Sequence, residues 1–193
     1  MEEGADMNIS TKLIYDAIKT YEGLGYQMVD VPLVVDRDVS NHTKPEGVPE
    51  LSHLGDKVYV ASAEQSFIQL HKEGKLPRGK YMALTPCHRH ERFLDEEHYL
   101  IFLKLELIVV GLWKKNPLFE MGDSCTWFFK RTLDHEVKME GNFAFGEMDL
   151  TCEGVELGSY GSRNMLDGTP YYYGTGIAEP RLSYVKSLVD NQK

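Results

Sequence analysis

The sequence has few cysteines, no long apolar run, no basic cluster and no repeat, and each lack removes a class of protein. The three cysteines (Cys87, Cys125, Cys152) are odd in number, widely spaced and never in a CxxC pair. That argues against a disulfide framework or a thiolate zinc site and leaves buried free thiols as the expectation. No apolar stretch reaches the roughly 20 residues of a membrane-spanning helix. The longest, Tyr99 to Trp113, carries Lys104 and Glu106 in its middle. The opening MEEGADMNIS is acidic and lacks the basic start and apolar stretch of a signal peptide, which predicts a cytoplasmic protein with no membrane partner. Lys and Arg form no cluster, and the formal net charge is −9. Nucleic-acid affinity comes largely from cations that neutralise phosphates, so this balance predicts weak or absent nucleic-acid binding, RNA included.

What is present reads as one domain over residues 1–193, with an ordinary 42% of hydrophobic and 26% of charged residues. Ser10 caps a predicted helix in which Leu13, Ile14, Ala17, Ile18 and Tyr21 recur at helical spacing, ended by Gly23 and Gly25. Tyr26 to Val31 predicts a short strand stopped by Pro32, and the polar stretch Asp36 to Leu54 a loop. Val58 to Ala61 is extended, Glu64 to Lys72 helical, and Lys80 to Leu84 and Tyr99 to Trp113 are strands. Asp123 caps a predicted helix reaching about Met139, with Phe129, Leu133 and Val137 four apart. Extended segments follow at Phe143–Leu150 and Val155–Tyr160, then a glycine turn at Gly174 and Gly176, then a helix from about Arg181. This order predicts an α+β fold, an antiparallel sheet flanked by helices on one face, rather than alternating βαβ units.

The segment HYLIFLKLELIVV carries the most chemistry. Strand side chains alternate between faces, about 7 Å apart along each face. One face holds His98, Leu100, Phe102, Lys104 and Glu106, and the apolar face holds Tyr99, Ile101, Leu103, Leu105 and Leu107. Charges in so hydrophobic a strand must be paired or face a pocket, because burying them alone is costly. Upstream, Arg89 and Glu91 fall on one face of a possible partner strand, with the six residues Arg92 to Glu97 as the intervening loop. Such a hairpin is suited to a nucleotide: guanidinium binds phosphate bidentately, and a phenyl face stacks on a base.

These residues resemble the signature of the class II aminoacyl-tRNA synthetases. Arg89-His-Glu91 followed by His98-Tyr-Leu-Ile-Phe102 resembles motif 2. Gly25-Tyr-Gln-Met-Val-Asp-Val-Pro32 resembles motif 1, and Gly174-Thr-Gly-Ile-Ala-Glu-Pro-Arg181 resembles motif 3. Phe102-Leu-Lys104-Leu-Glu106, Ala61-Ser-Ala-Glu64 and Glu156-Leu-Gly-Ser159 are similar to the seryl branch, and the likeness spans roughly residues 10 to 190. The resemblance implies ATP and Mg²⁺ as cofactors and the activation of a small amino acid (Ser, Gly, Ala or Thr) as its adenylate.

It also implies roles. Arg89 meets the α-phosphate and the amino acid's carboxylate, Glu91 the adenine amino group and His98 the triphosphate. Phe102 stacks on adenine, Arg181 grips the γ-phosphate, and Glu156, with Ser159 beside it, approaches ATP and holds Mg²⁺. Glu64 and Glu106 recognise the amino acid, and motif 1 makes a homodimer. Several features depart from the pattern. His88 stands where Phe is usual, Pro180 where Gly or Asp is commoner, and the motif 2 loop is short and acidic at Asp95, Glu96 and Glu97. Glu156 and Ser159 have opposite strand parity, so joint action needs a bulge, which Gly158 is placed to supply. Three readings stay open: an adenylate-forming enzyme with a non-tRNA acceptor of unknown identity, a minimal synthetase acting on tRNA, and a non-catalytic paralogue that binds ATP or an amino acid.

Overall fold

The computed structural model describes residues 9–45, 47–49, 51, 55–91, 93–141 and 146–192. The Ser10 hydroxyl accepts the Leu13 N–H at 3.3 Å, and helix α1 (Thr11–Gly23) buries Ile14, Ala17 and Tyr21 along one stripe. After β1 (Gln27–Met28) and β2 (Val34–Asp36), part of the stretch expected as a loop folds into α2 (Arg37–Thr43), with Val39 and Ser40 buried. A seven-residue helix with one apolar side chain has no periodicity to read; it forms because it packs on α3 (Ala63–Lys72). Residues 46, 50 and 52–54 of that expected loop lie outside the described residues. β3 (Lys57–Tyr59) pairs antiparallel with β2.

The remaining strands are β4 (Gly79–His88), β5 (Ile101–Val110), β6 (Lys138–Glu140), β7 (Glu147–Cys152), β8 (Val155–Asn164) and β9 (Pro170–Glu179). With β1 they form one sheet in the order β1-β4-β5-β9-β8-β7-β6. Its pairs are antiparallel except β1 with β4. The extended segment predicted from Phe143 begins in residues outside the description; its described part is β7.

Helix α4 (Pro117–Leu133) starts before the predicted cap at Asp123. Asn116 accepts the Leu118 N–H at 3.0 Å, and Pro117 sits in the first turn, where its missing N–H costs nothing. The helix stops short of Met139 because Asp134 turns into the left-handed region at φ +51°, and Lys138–Glu140 then extends as β6.

Helices cover both faces of the sheet rather than one. Leu105, Leu107 and Val109 of β5 pack with α1, α4 and α5 (Arg181–Asp190), whereas Ile108 and Val110 join Phe67 and Ile68 of α3. The face expected to be wholly apolar therefore holds from Leu105 onward, while Ile101 is 49% exposed at the strand's start. Gly174 and Gly176 form no turn; both lie inside β9. A Cβ on Gly174 would stand 2.1 Å from the Tyr160 ring, and one on Gly176 2.9 Å from Tyr21. These glycines thus allow aromatic rings to close on the strand. All three cysteines are free and buried, as expected.

Glu179 ends β9 fully buried, its carboxylate accepting from the Ser183 N–H at 3.2 Å and the Ser183 hydroxyl at 3.0 Å in the first turn of α5. Burial pushes this carboxyl from its ordinary 4.5 up to about 7, against the pull of the Ser183 bonds. A carboxyl raised on folding contributes stability that is complete below its unfolded pKa and is lost as pH rises through the folded one. Glu179→Gln should therefore melt above the wild type at pH 8 and lose that advantage at pH 5. Thermal unfolding of both proteins at the two pH values checks this.

Candidate functional site

Two buried carboxylates make the floor of a cleft of about 850 Å³ that opens between β4, β5, β8 and the α2–α3 region. Glu106, on β5, is fully buried. Lys104, two residues back on the same face, reaches it at 2.9 and 3.1 Å, and the Ser62 hydroxyl donates to it from the other side. Ser62 also caps α3 by accepting the Glu64 N–H at 3.2 Å. One hydroxyl therefore fixes both the start of the helix and the buried acid.

Glu64, in the first turn of α3, is the second floor carboxylate. Arg163 of β8 spans it at 3.0 and 3.1 Å, and the Tyr171 hydroxyl of β9 donates at 2.7 Å. The Arg163 guanidinium lies 4.8 Å from the Tyr173 ring centre. Burial pushes the Glu64 carboxyl above the usual carboxylate range; Arg163 pulls it back, Glu106 pushes it up, and Tyr171 and Lys104 pull it down.

The rim is more open. β4 ends at His88, opposite Ile101, so Arg89 and Glu91 lie beyond the strand rather than on it, and the β4–β5 connection is twelve residues (89–100), not six. The Arg89 N–H still closes one more rung on the Leu100 carbonyl at 2.9 Å. His88 packs its ring 4.9 Å from that of Tyr59 at the cleft wall. His98 Nδ1 meets Asp95 at 2.8 Å, and Asp95 is fixed in turn by the backbone N–H groups of Glu97 and His98.

Of the residues singled out in the sequence, Glu64, Arg89, Glu91, His98, Glu106, Glu156 and Ser159 all line this one cleft. Glu156 and Ser159 do so despite opposite parity, because β8 carries a bulge; its extra residue is Leu157, one before the glycine expected. Phe102 and Arg181 do not line the cleft. The Phe102 ring is 8% exposed beside Cys87 and Ala178, and the Arg89 guanidinium lies 5.0 Å from its centre. Arg181 donates to the Glu97 carbonyl at 2.8 Å and to the Glu156 carboxylate at 3.3 Å.

Among the described residues, no group of three or more His, Cys, Asp or Glu gathers to hold a metal ion. Glu156, half exposed and beside Ser159, is the hard-oxygen ligand type that Mg²⁺ takes from a protein when phosphates supply the others. Ser62 lies within the Ala61–Glu64 segment without a role of its own there, Tyr171 belongs to the Tyr171–Tyr173 run that sequence alone offers equally as pocket or core, and Arg163 lies outside every motif. For Arg163 a signal exists: it shares strand parity with Ser159 after the bulge.

A large, mostly antiparallel sheet flanked by helices is an architecture this chain shares with solved class II aminoacyl-tRNA synthetases. The chain superposes on a pyrrolysyl-tRNA synthetase of Desulfitobacterium hafniense with a TM-score of 0.71 at 18% identity, covering 91% of this chain and 68% of that one. A cytoplasmic serine-tRNA ligase of Naegleria fowleri, in complex with AMP, superposes with a TM-score of 0.68 at 19% identity, over 90% of this chain and 46% of that one. The chain thus spans just under half of the latter. No protein-family model matches the sequence, and neither does any curated protein. The fold is that of the class II synthetase core, as the motifs implied. No described helix is long and apolar enough to cross a membrane.

Removing one member of a buried ion pair strands the other. Lys104→Met should therefore cost about 3–5 kcal/mol of stability, read by denaturant unfolding. Pairing it with Glu106→Gln should recover much of the loss; an equally unstable double variant would show that packing, not charge, holds the floor.

Proposed function

We propose that this chain uses ATP and Mg²⁺ to activate a small amino acid as its adenylate and passes the acyl group to an acceptor other than tRNA. The observation that supports the reading most is the convergence of Arg89, Glu91, His98 and Glu156 above Glu64 and Glu106 in one cleft. Cationic and nucleotide-reading groups share it with acids suited to an ammonium. The structural neighbour with bound AMP belongs to an enzyme that ligates an amino acid, which accords with this.

In this reading Glu64 and Glu106 take the amino acid's ammonium and any small polar side chain. Arg89 swings from the Phe102 ring to the α-phosphate and the substrate carboxylate, and the uncovered ring then stacks on adenine. The carboxylate oxygen attacks the α-phosphorus in line, the bond to the bridging oxygen breaks, and pyrophosphate leaves with the electron pair. Arg181 holds the departing γ-phosphate and His98 the triphosphate. Glu156, with Ser159 alongside, is the protein ligand for Mg²⁺, which when bound neutralises phosphate charge. No side chain need transfer a proton: the residues position the reactants and meet charge that grows in the transition state. The acidic run Asp95, Glu96 and Glu97 at the outer part of the β4–β5 connection repels the phosphates of an RNA, which favours a non-tRNA acceptor over a minimal synthetase.

A screen of ATP–pyrophosphate exchange over the twenty amino acids tests this directly, with exchange expected for one or a few small ones. Phe102→Ala should chiefly weaken ATP binding, since stacking acts in ground and transition states alike. Arg89→Ala should lower the rate on the order of 10²–10³, the cost of losing one donor to developing charge. Arg181→Ala should harm both. ATP binding without exchange for any amino acid would overturn the enzyme and leave a nucleotide-binding paralogue.

The same reading makes α1 and the segment from β1 to Pro32, of which only Gln27–Met28 pairs as a strand rather than the expected Tyr26–Val31, the contact of a homodimer, in which identical surfaces meet across a two-fold axis. Sedimentation should give a mass near twice 22.1 kDa; a monomer at tens of micromolar would remove the dimer.

A further inference from the structure

We propose that Arg163 is a positioning residue for the amino-acid end of the cleft: clamped across Glu64, it keeps that carboxylate the charged partner of a substrate ammonium and walls off the cleft against large side chains. This rests on the adenylate reading for its substrate, though not for its geometry. None of the motifs that carry the synthetase resemblance includes Arg163.

The geometry has three parts. First, Glu64 is 6% exposed and held on both oxygens, with Arg163 bridging the two and Tyr171 on Oε1. A carboxylate accepts at about four sites, so acceptor capacity is left for an incoming ammonium. Second, the groups that face Glu64 from the packed elements are Arg163 on β8, Tyr171 and Tyr173 on β9, and Lys104 and Glu106 on β5. Only Arg163 combines a permanent charge with direct contact, because Lys104 is bonded to Glu106. Burial works against ionisation of Glu64 and Arg163 works for it. Third, the Arg163 guanidinium is held on two sides, by the Glu64 carboxylate and by the Tyr173 ring, and both Arg163 and Tyr173 line the cleft. With its head fixed in this way and its side chain 38% exposed to the cleft, Arg163 narrows the space rather than swinging through it.

The ligand class follows from charge. Glu64, Glu106, Arg163 and Lys104 sum to zero. These four charges are already engaged in two pairs, so the floor has none left to neutralise an acidic or basic side chain, which would be buried uncompensated. The ligand class this favours is a small amino acid with an uncharged side chain, not Asp, Glu, Lys or Arg.

The test uses the full chain and three variants, Arg163→Gln, Arg163→Lys and Tyr171→Phe. For Arg163→Gln, KM for the amino acid in pyrophosphate exchange should rise roughly tenfold for each unit by which the Glu64 pKa climbs. KM for ATP should stay within about twofold, since the nucleotide groups are untouched. The defect should be worst at the acid end of the working pH range and shrink as pH rises and Glu64 ionises. Arg163→Lys should restore most of the affinity, Tyr171→Phe should show a weaker form of the same pH-dependent defect, and Arg163→Gln should admit larger side chains. A defect shared equally by ATP, or one flat with pH, would overturn the proposal, as would strong exchange by the wild type with Asp or Lys. Should Arg163→Gln fail to fold, Tyr171→Phe carries the same readouts, with Arg163→Lys as the charge-retaining control. Carbon-13 NMR titration of the Glu64 carboxyl separates this inference from the reading it rests on. If the wild type exchanges no amino acid, the adenylate reading falls, yet Glu64 should still titrate higher in Arg163→Gln and Tyr171→Phe than in the wild type; an unmoved titration overturns the clamp itself.

Discussion

Burying carboxylates in the middle of a β-sheet is the constraint on which the rest of this structure depends. Glu106 and Glu64 lie beneath the cleft with almost no contact with water, and an isolated charge there would cost several kcal/mol. The fold meets that cost with one local partner, Lys104 two residues from Glu106 on β5, and with partners from distant parts of the chain: Ser62 before α3, Arg163 on β8 and Tyr171 on β9. The distant contacts form only once β5, β9 and β8 lie side by side and α3 has docked on them. The Glu64 half of the floor is therefore also a check on the topology, since a wrong strand order would leave that acid without its cation.

Two irregularities in the sheet serve that floor. At Gly176 the pairing of β5 with β9 slips by one residue, beside Glu106. At Leu157 the pairing of β7 with β8 slips in the same way, between Glu156 and Ser159. A regular ladder would send Glu156 and Ser159 to opposite faces; the bulge brings both into the cleft while Leu157 stays in the core. The first bulge coincides with tight aromatic packing, where Tyr21 donates to the Gly176 carbonyl at 2.9 Å and Tyr160 to the Thr175 carbonyl at 2.7 Å. Helix, strand and bulge are thus tied at one point below the site.

This division explains what the sequence disclosed. Local signals were legible: Ser10 as a cap, the stripe of α1, the charged face of β5, and the order of the three motif-like segments. Features set by distant partners were not. The helix Arg37–Thr43 has no stripe of its own, because its contacts belong to α3. Gly174 and Gly176 looked like a turn, because sequence cannot show the rings of Tyr160 and Tyr21 closing on them. The need for a bulge near Glu156 was readable from parity, but its position was not, since Leu157 and Gly158 differ only in what β7 and β9 place opposite them. Arg163 was overlooked because an arginine near a strand's end normally points to water, and only the fold brings Glu64 to it.

The rim obeys a different energetic rule from the floor. Three of the groups assigned to ATP have internal partners: Arg89 the Phe102 ring, His98 the Asp95 carboxylate, and Arg181 the Glu156 carboxylate together with the Glu97 carbonyl. The His98–Asp95 pair is exposed, and such pairs are worth about 0–1 kcal/mol, so exchanging it for phosphate costs little. The Lys104–Glu106 pair is buried on both sides and cannot be exchanged on those terms, because stranding one member costs about 3–5 kcal/mol. Under the proposed function, the amino acid would then meet a rigid, preformed base, and the nucleotide would meet side chains that change partners on binding. Only the latter could strengthen their contacts as charge moves toward a leaving pyrophosphate, which is where transition-state binding has to arise.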